Sequence, residues 1–203
     1  MLEIEGFILV GGASSRMGTD KALLELGGRP FVERISAALS SITTKTSLVG
    51  PPERIGHSRA AALPIVPDVH VEWGALGGLH AALASCRAEW AAVVACDLPF
   101  VTGELFVRLA SLRQNFDAVV PVQPDGRAQP LCALYRAEVA RDLAEELIAA
   151  GERRPRSLLE RMRTRMAAFD ELSDLEGSSD FFINVNTPED LAKAIRRERR
   201  DEG

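Results

Sequence analysis

Two textures alternate along this chain. Short apolar runs at residues 6–10, 47–49, 63–66, 90–95 and 118–122 read as buried strands. Between them, apolar residues recur three and four places apart, the spacing that lines one face of a helix. Residues 30–39 carry Phe31, Ile35, Ala38 and Leu39 in that register, with Pro30 where a first-turn proline is tolerated. Further helices are predicted over 76–84, over 104–112 with Val107 off the apolar face, and over 137–150 with Val139, Leu143, Leu147 and Ile148 inward. Gly151 is placed to cap the last of these. Pro124-Asp125-Gly126 signals a turn between the strand at 118–122 and an apolar run at 131–135, so these two form a hairpin or a wider excursion from the sheet. A helix near 157–162, a short apolar stretch at 181–185 and a closing helix from Thr187 complete the pattern.

Strands alternating with helices imply an α/β fold: a mostly parallel, mixed sheet with helices on both faces and right-handed crossovers. No internal repeat or linker-like tract divides residues 1–203, so one domain is expected. Such sheets bind ligands beyond the carboxyl ends of their strands. Residues 11–21, Asp97, and Asn184 to Asn186 are therefore the positions to read for chemistry.

The composition, 46% hydrophobic and 26% charged over 203 residues, suits a chain with a full core. A formal charge of -5 disfavours a surface that tracks nucleic acid. Glu3 and Glu5 stand where a secretory signal needs basic residues, and no apolar run nears the roughly 18 residues that span a bilayer. Cys86, Cys96 and Cys132, odd in number and set among apolar neighbours, read as small buried hydrophobes in a reducing compartment. A cytoplasmic protein that engages neither nucleic acid nor membrane is expected. With no Cys-x-x-Cys pair and with His57, His70 and His80 scattered along the chain, the sequence offers a zinc site nothing to build on.

The segment Gly11-Gly12-Ala13-Ser14-Ser15-Arg16-Met17-Gly18-Thr19-Asp20-Lys21 follows a buried strand and combines glycines, hydroxyls and two cations. Small residues at 11–13 let backbone N–H groups approach an anion, and Ser14 and Ser15 add donors. The order of residues departs from both G-x-G-x-x-G and the Walker A loop. A solvated surface loop would have a similar composition; the position directly after a strand end favours phosphate binding.

The string Leu9-Val10-Gly11-Gly12-x-Ser14-x-Arg16-Met17-Gly18-x-Asp20-Lys21 resembles the signature of the nucleotidyltransferases that activate sugar phosphates and related monoesters. Its continuation from Ala22 to Pro30 is similar to the molybdenum cofactor guanylyltransferases (MobA-like proteins) within that superfamily. Val10 stands where Ala is usual. The resemblance implies a Rossmann-like nucleotidyltransferase fold, nucleotide contacts from Leu9, Val10, Gly11, Gly12 and Lys21, and catalytic roles for Arg16, Lys21 and Asp97.

Asp97 ends an apolar strand, where a carboxylate facing a phosphate loop suits Mg2+; a turn aspartate ahead of Pro99 is the plain structural alternative. Cys96-Asp97-Leu98-Pro99-Phe100 resembles the family element whose aspartate holds the metal, which implies Mg2+ on Asp97. By the same resemblance Asp68, by itself a turn residue, contacts the nucleotide, and Gly74 to Leu79 starts a helix beside it, with Ala75 for the usual Pro. The family's Asn after the second strand has no match near Val49-Gly50-Pro51, and Gln129 in Gln129-Pro130-Leu131-Cys132-Ala133-Leu134-Tyr135 stands where His is frequent.

In Asn184-Val185-Asn186-Thr187-Pro188-Glu189-Asp190, Thr187 is an N-cap, Pro188 a first helical residue and Asp190 completes a capping-box-like start. Asn184 and Asn186 share a face if the segment is extended, and the resemblance turns them toward the acceptor. The arginines at 153, 154, 156, 161, 163 and 165 are either a solvated face or, at Arg153, Arg154 or Arg156, a receiver for an anionic pterin.

The implied reaction is attack by a phosphate monoester on the α-phosphorus of a nucleoside triphosphate. A monoester with a second pKa near 6 is already largely dianionic at neutral pH, so no general base is needed. The resemblance implies GTP as donor, molybdopterin carrying molybdenum as acceptor, molybdopterin guanine dinucleotide as product, and molybdenum-insertion and molybdoenzyme proteins as partners. The competing readings are a related enzyme that uses CTP or another phosphate monoester such as a sugar phosphate, and a non-catalytic nucleotide-binding or cofactor-delivery protein.

Overall fold

The computed structural model describes residues 3–10, 24–51, 63–70 and 73–201. In chain order its elements are β1 (Ile4–Leu9), β2 (Glu25–Leu26), β3 (Arg29–Pro30), α1 (Phe31–Leu39), β4 (Lys45–Val49), β5 (Ile65–Val66), α2 (Gly74–Ser85), β6 (Trp90–Ala95), α3 (Gly103–Ser111), β7 (Ala118–Pro121), β8 (Cys132–Arg136), α4 (Ala137–Ala149), α5 (Arg156–Leu159), β9 (Thr164–Ala167) and α6 (Pro188–Asp201). Seven strands form one sheet in the order β5-β4-β1-β6-β8-β7-β9. Strand β8 is antiparallel to both neighbours and every other adjacent pair is parallel, so the sheet is mixed, as expected.

The period-2 alternation of strand side chains divides the core in two. Ala92 and Val94 of β6 point with Ile8 and Leu48 toward α1 and α3, where Val32, Ile35, Leu39, Leu105, Phe106 and Leu109 cover them. Ala91 and Val93 point with Phe7 and Leu9 toward α2 and α4. On α4 the inward face is Ala140, Ala144, Leu147 and Ile148, whereas Val139 and Leu143 are only half-buried. This corrects the expected face. The small alanines occupy the positions of closest packing, and the larger residues fill the flanks. Gly151 does end α4: at φ +86° its N–H donates to Ile148 O at 2.9 Å while Glu152 N–H donates to Leu147 O at 2.9 Å, a Schellman closure.

Elsewhere the structure departs from the pattern in ways that packing explains. Pro30 belongs to β3 and caps α1 with ψ 145°, one residue before the helix. Gly27 and Gly28, at φ 56° and 71°, supply the two left-handed positions of a tight β2–β3 hairpin. The Pro124-Asp125-Gly126 turn does fold β7 back to β8, with Ala118 opposite Tyr135 and Val119 opposite Leu134. The helix expected near 157–162 runs from Arg156 to Leu159 and stops there, because the chain then turns into β9. Strand β9 is an edge strand with only Ala167 fully buried, so no apolar run announced it. Residues 181–185 form no strand. Val185 instead joins a third apolar cluster with Leu26, Phe31 and Ala194, which seats α6 against the β2–β3 hairpin.

Candidate active site

The centre of the sheet sets the site. Strand β1 is paired with β4 on one side and β6 on the other, Leu9 lying opposite both Val49 and Ala95. Chain order reverses here, which leaves a crevice beyond the strand ends. Hydrogen bonds extend both ladders one step: Val10 N–H donates to Val49 O at 2.9 Å and Cys96 N–H to Leu9 O at 3.0 Å. The chain therefore leaves β1 at Val10 next to the turn that carries Asp97. Leu9 and Val10 are buried, so their side chains serve the core and what they offer a ligand is the direction of the backbone. Gly11, Gly12, Arg16 and Lys21 lie outside the described residues.

Asp97 is half-buried in a turn in which Leu98 N–H donates to Ala95 O at 3.3 Å. Its backbone carbonyl accepts a 3.0 Å hydrogen bond from Val185 N–H. That bond joins two segments far apart in sequence and brings the Asn-Val-Asn element against the strand end. Val185 is buried while Asn184 and Asn186 are exposed on either side of it, the alternation expected of an extended segment with both amides on one face. The N-cap is complete: Asp190 N–H donates to Thr187 Oγ1 at 3.1 Å, and the Asp190 carboxylate accepts from Thr187 N–H at 3.0 Å and Asn186 N–H at 3.1 Å. The Thr187 hydroxyl and these amides hold the Asp190 carboxyl below its usual range.

The donor set around Asp97 fits a hard cation. A half-buried carboxylate supplies oxygen, while the softer thiol of its neighbour Cys96 packs in the core. Asp68 follows β5 at the same edge of the sheet, three strand spacings from β6, or about 15 Å across the strand ends. Its carboxylate accepts a 3.0 Å hydrogen bond from His70 N–H, so it does close an Asx turn. Helix α2 begins at Gly74, earlier than the pattern indicated, with no side-chain cap hydrogen bond from Trp73. A Cβ on Gly77 would meet His70 O at 2.7 Å, so this glycine lets the helix approach the loop; a Cβ on Gly78 would meet nothing nearer than Leu9 at 4.0 Å.

The arginine cluster is largely engaged with carboxylates. Arg154 forks onto Glu152 at 3.0 and 2.8 Å, Arg161 reaches Glu146 at 2.7 Å, and Arg163 holds Asp117 at 2.7 and 2.8 Å. Arg165 pairs with Glu171. Arg153 lies 5.0 Å over the Trp73 ring, beside the start of α2, and Arg156 opens α5 on the surface. Two of the cysteines stay chemically quiet: burial pushes the Cys132 thiol up to about 12 and the Cys86 thiol to about 11. The histidines do not all stay apart. His70 and His80 meet beside Glu145, a juxtaposition across three elements that no local sequence signal marks.

Comparison with known proteins agrees with this architecture. The profile of the MobA-like NTP transferase domain family matches residues 6–167. The "probable molybdenum cofactor guanylyltransferase" of Pelotomaculum thermopropionicum is 34% identical over 96% of this chain and 93% of its own. The protein of the same name from Bacillus cereus strain AH820 is 32% identical over 96% of each chain. The crystal structure of molybdopterin-guanine dinucleotide biosynthesis protein A from Archaeoglobus fulgidus superposes with a TM-score of 0.80 at 28% identity, covering 97% of this chain and 99% of its own. A cytidylyltransferase for 2-C-methyl-D-erythritol 4-phosphate from Thermus thermophilus, 16% identical with a TM-score of 0.68 over 95% of this chain and 98% of its own, shares the fold. A mixed sheet with its reversal at β1, an aspartate at the adjoining strand end and sequence agreement over most of the chain lead to one assignment: this chain belongs to the MobA-like NTP transferase domain family.

Proposed function

We propose that this chain transfers GMP from GTP to the terminal phosphate of molybdenum-bearing molybdopterin, releasing pyrophosphate and forming molybdopterin guanine dinucleotide. Family membership supports the reaction class, and the names carried by its relatives support the substrates. The structural observation that carries the reading is the 3.0 Å hydrogen bond from Val185 N–H to Asp97 O. It brings the segment of Asn184 and Asn186 to the turn that carries Asp97, which supports reading the two amides as the acceptor side of a crevice that takes the donor.

In this reading an oxygen of the acceptor's dianionic phosphate forms a bond to the α-phosphorus of GTP. The bond from that phosphorus to the bridging oxygen of the β-phosphate breaks, and pyrophosphate leaves. No proton has to be removed from the nucleophile, because its second pKa lies near 6. The barrier is the approach of two anions, so the protein contributes position and charge. The backbone of Gly11 and Gly12 and the cations Arg16 and Lys21 take up phosphate charge, Asp68 orients the nucleoside, and Asn184 and Asn186 hold the acceptor. Asp97 would hold Mg2+, which when bound neutralises charge on the phosphates. The chain works in the cytoplasm, receiving its acceptor from molybdenum-insertion proteins and delivering product to molybdoenzymes. Among the described residues, no helix is long and apolar enough to cross a membrane.

The test is pyrophosphate release with molybdopterin and each of the four ribonucleoside triphosphates in turn. GTP is expected to be the productive donor; release with CTP alone would overturn the guanylyl assignment, full turnover in Asp97→Ala would remove that carboxylate from the reaction, and no release with any of the four would return the chain to a binding or delivery role.

A further inference from the structure

Next to the Asp68 turn, three ligand-bearing side chains converge where α2 and α4 pack together. His70 belongs to the turn after β5, His80 to α2 and Glu145 to α4. His80 Nε2 lies 2.7 Å from Glu145 Oε2, and His70 Nε2 lies 3.8 Å from the same oxygen. The imidazole centroids are 5.0 Å apart, and one ligand atom from each residue falls within 4.8 Å of the others. We propose that His70, His80 and Glu145 form a binding site for a borderline transition-metal ion such as Zn2+, separate from the hard-cation position at Asp97.

The donor set argues for the ion class. Two imidazole nitrogens and one carboxylate oxygen are a three-ligand set that Zn2+ takes while keeping a further position for water, whereas Mg2+ prefers oxygen throughout. The distances agree with this. Two donors on a tetrahedral Zn2+ with bonds near 2.0–2.1 Å stand about 3.3 Å apart, and the observed 2.7 and 3.8 Å bracket that value.

Protonation and access agree as well. Burial shifts the pKa of the His80 ring downward, the direction that favours the neutral form. His80 is 7% exposed and its Nδ1 has no hydrogen-bond partner. The side chains of Glu145 and His70 are 59% and 24% exposed, which gives the ion a route from solvent. Through His70, whose N–H bonds Asp68 at 3.0 Å, the ion would tie the β5–α2 connection to both helices.

The full-length protein, stripped with a chelator and free of nucleotide, is titrated with Zn2+ against a chromophoric competitor and with Co2+ as a visible-spectrum reporter. One ion per chain is expected. Tm should rise by about 5–10 °C at a free Zn2+ concentration of about 100 times Kd. Glu145→Gln and His70→Ala, which alter the more exposed ligands and leave buried His80 in place, should each weaken binding at least 10-fold, while Asp97→Asn and excess Mg2+ should leave it unchanged. No saturable binding to the unaltered chain, equal binding by both ligand variants, or loss of binding in Asp97→Asn would overturn the proposal.

Discussion

Asp97 shows how much one residue can be asked to do here. Its backbone carbonyl holds Val185 and its side chain stands at the strand end, so replacement of the side chain alone leaves the backbone bond intact. Asp97→Ala is therefore expected to keep that bond and to lose activity by about 100-fold or more, read as pyrophosphate release. Asp117 is the opposite case, a carboxylate at work in stability. It is buried, and the guanidinium of Arg163 holds its carboxyl below the usual range, with Arg136 adding to the effect. A folded-state pKa below the unfolded one means that this contribution is present at neutral pH and is lost as pH falls from about 5 through the lowered value. Because Arg163 is mostly exposed, solvent screens the pair and Asp117→Asn should cost only about 1 kcal/mol at pH 7. Denaturant melts at pH 7 and pH 3 check this: the difference between variant and parent should shrink at the lower pH.

Among the elements, α2 and α6 do the positioning. In α2, adjacent glycines should respond to alanine with opposite signs. At Gly78 the added methyl has 4.0 Å of clearance, so the gain in helix propensity stabilises by about 0.5–1 kcal/mol. At Gly77 the methyl would lie 2.7 Å from His70 O, a backbone atom, and the forced shift costs about 1–3 kcal/mol, which exceeds the propensity gain. Urea midpoints for the two variants decide this. In α6, Thr187→Ala removes the cap to Asp190 and should cost about 1 kcal/mol. The same change loosens Asn186, whose N–H is held by Asp190. An increase in KM for the acceptor with KM for GTP unchanged is the expected kinetic outcome.

At the scale of the whole molecule, the crevice depends on both halves of the chain. Residues from β1, β6 and the approach to α6 meet at Asp97, and the third apolar cluster fastens α6 to the β2–β3 hairpin. A ligand that binds only the assembled crevice should stabilise the fold as a unit. GTP at about 100 times its Kd is expected to raise Tm by about 5–10 °C in the presence of Mg2+, in a single cooperative transition. A shift given equally by all triphosphates would show a phosphate site without base preference.

The amino-acid order by itself determined the strands that are buried on both faces and the helices with clear caps. The runs at β1, β6 and β7 need no partner to be recognised, because burial on both sides demands continuous apolar residues. Gly151 and Thr187 likewise mark helix ends through purely local hydrogen bonds. The family was legible too, in the string at residues 9–21 and in Cys96 to Phe100, since both fall within the stretch that the family profile matches. Tertiary structure alone decided what distant segments do for each other. Strand β9 is held mainly by pairing with β7, the residues at 181–185 answer to Asp97 and the core instead of the sheet, and α4 turns its alanines inward because the sheet lies so close. His70, His80 and Glu145 look unrelated in one dimension; packing α2 against α4 puts them in one place. Local patterns record what a residue requires of its neighbours in sequence, and contacts between separate elements leave no such record, because they depend on where the sheet order and the helix packing carry each segment.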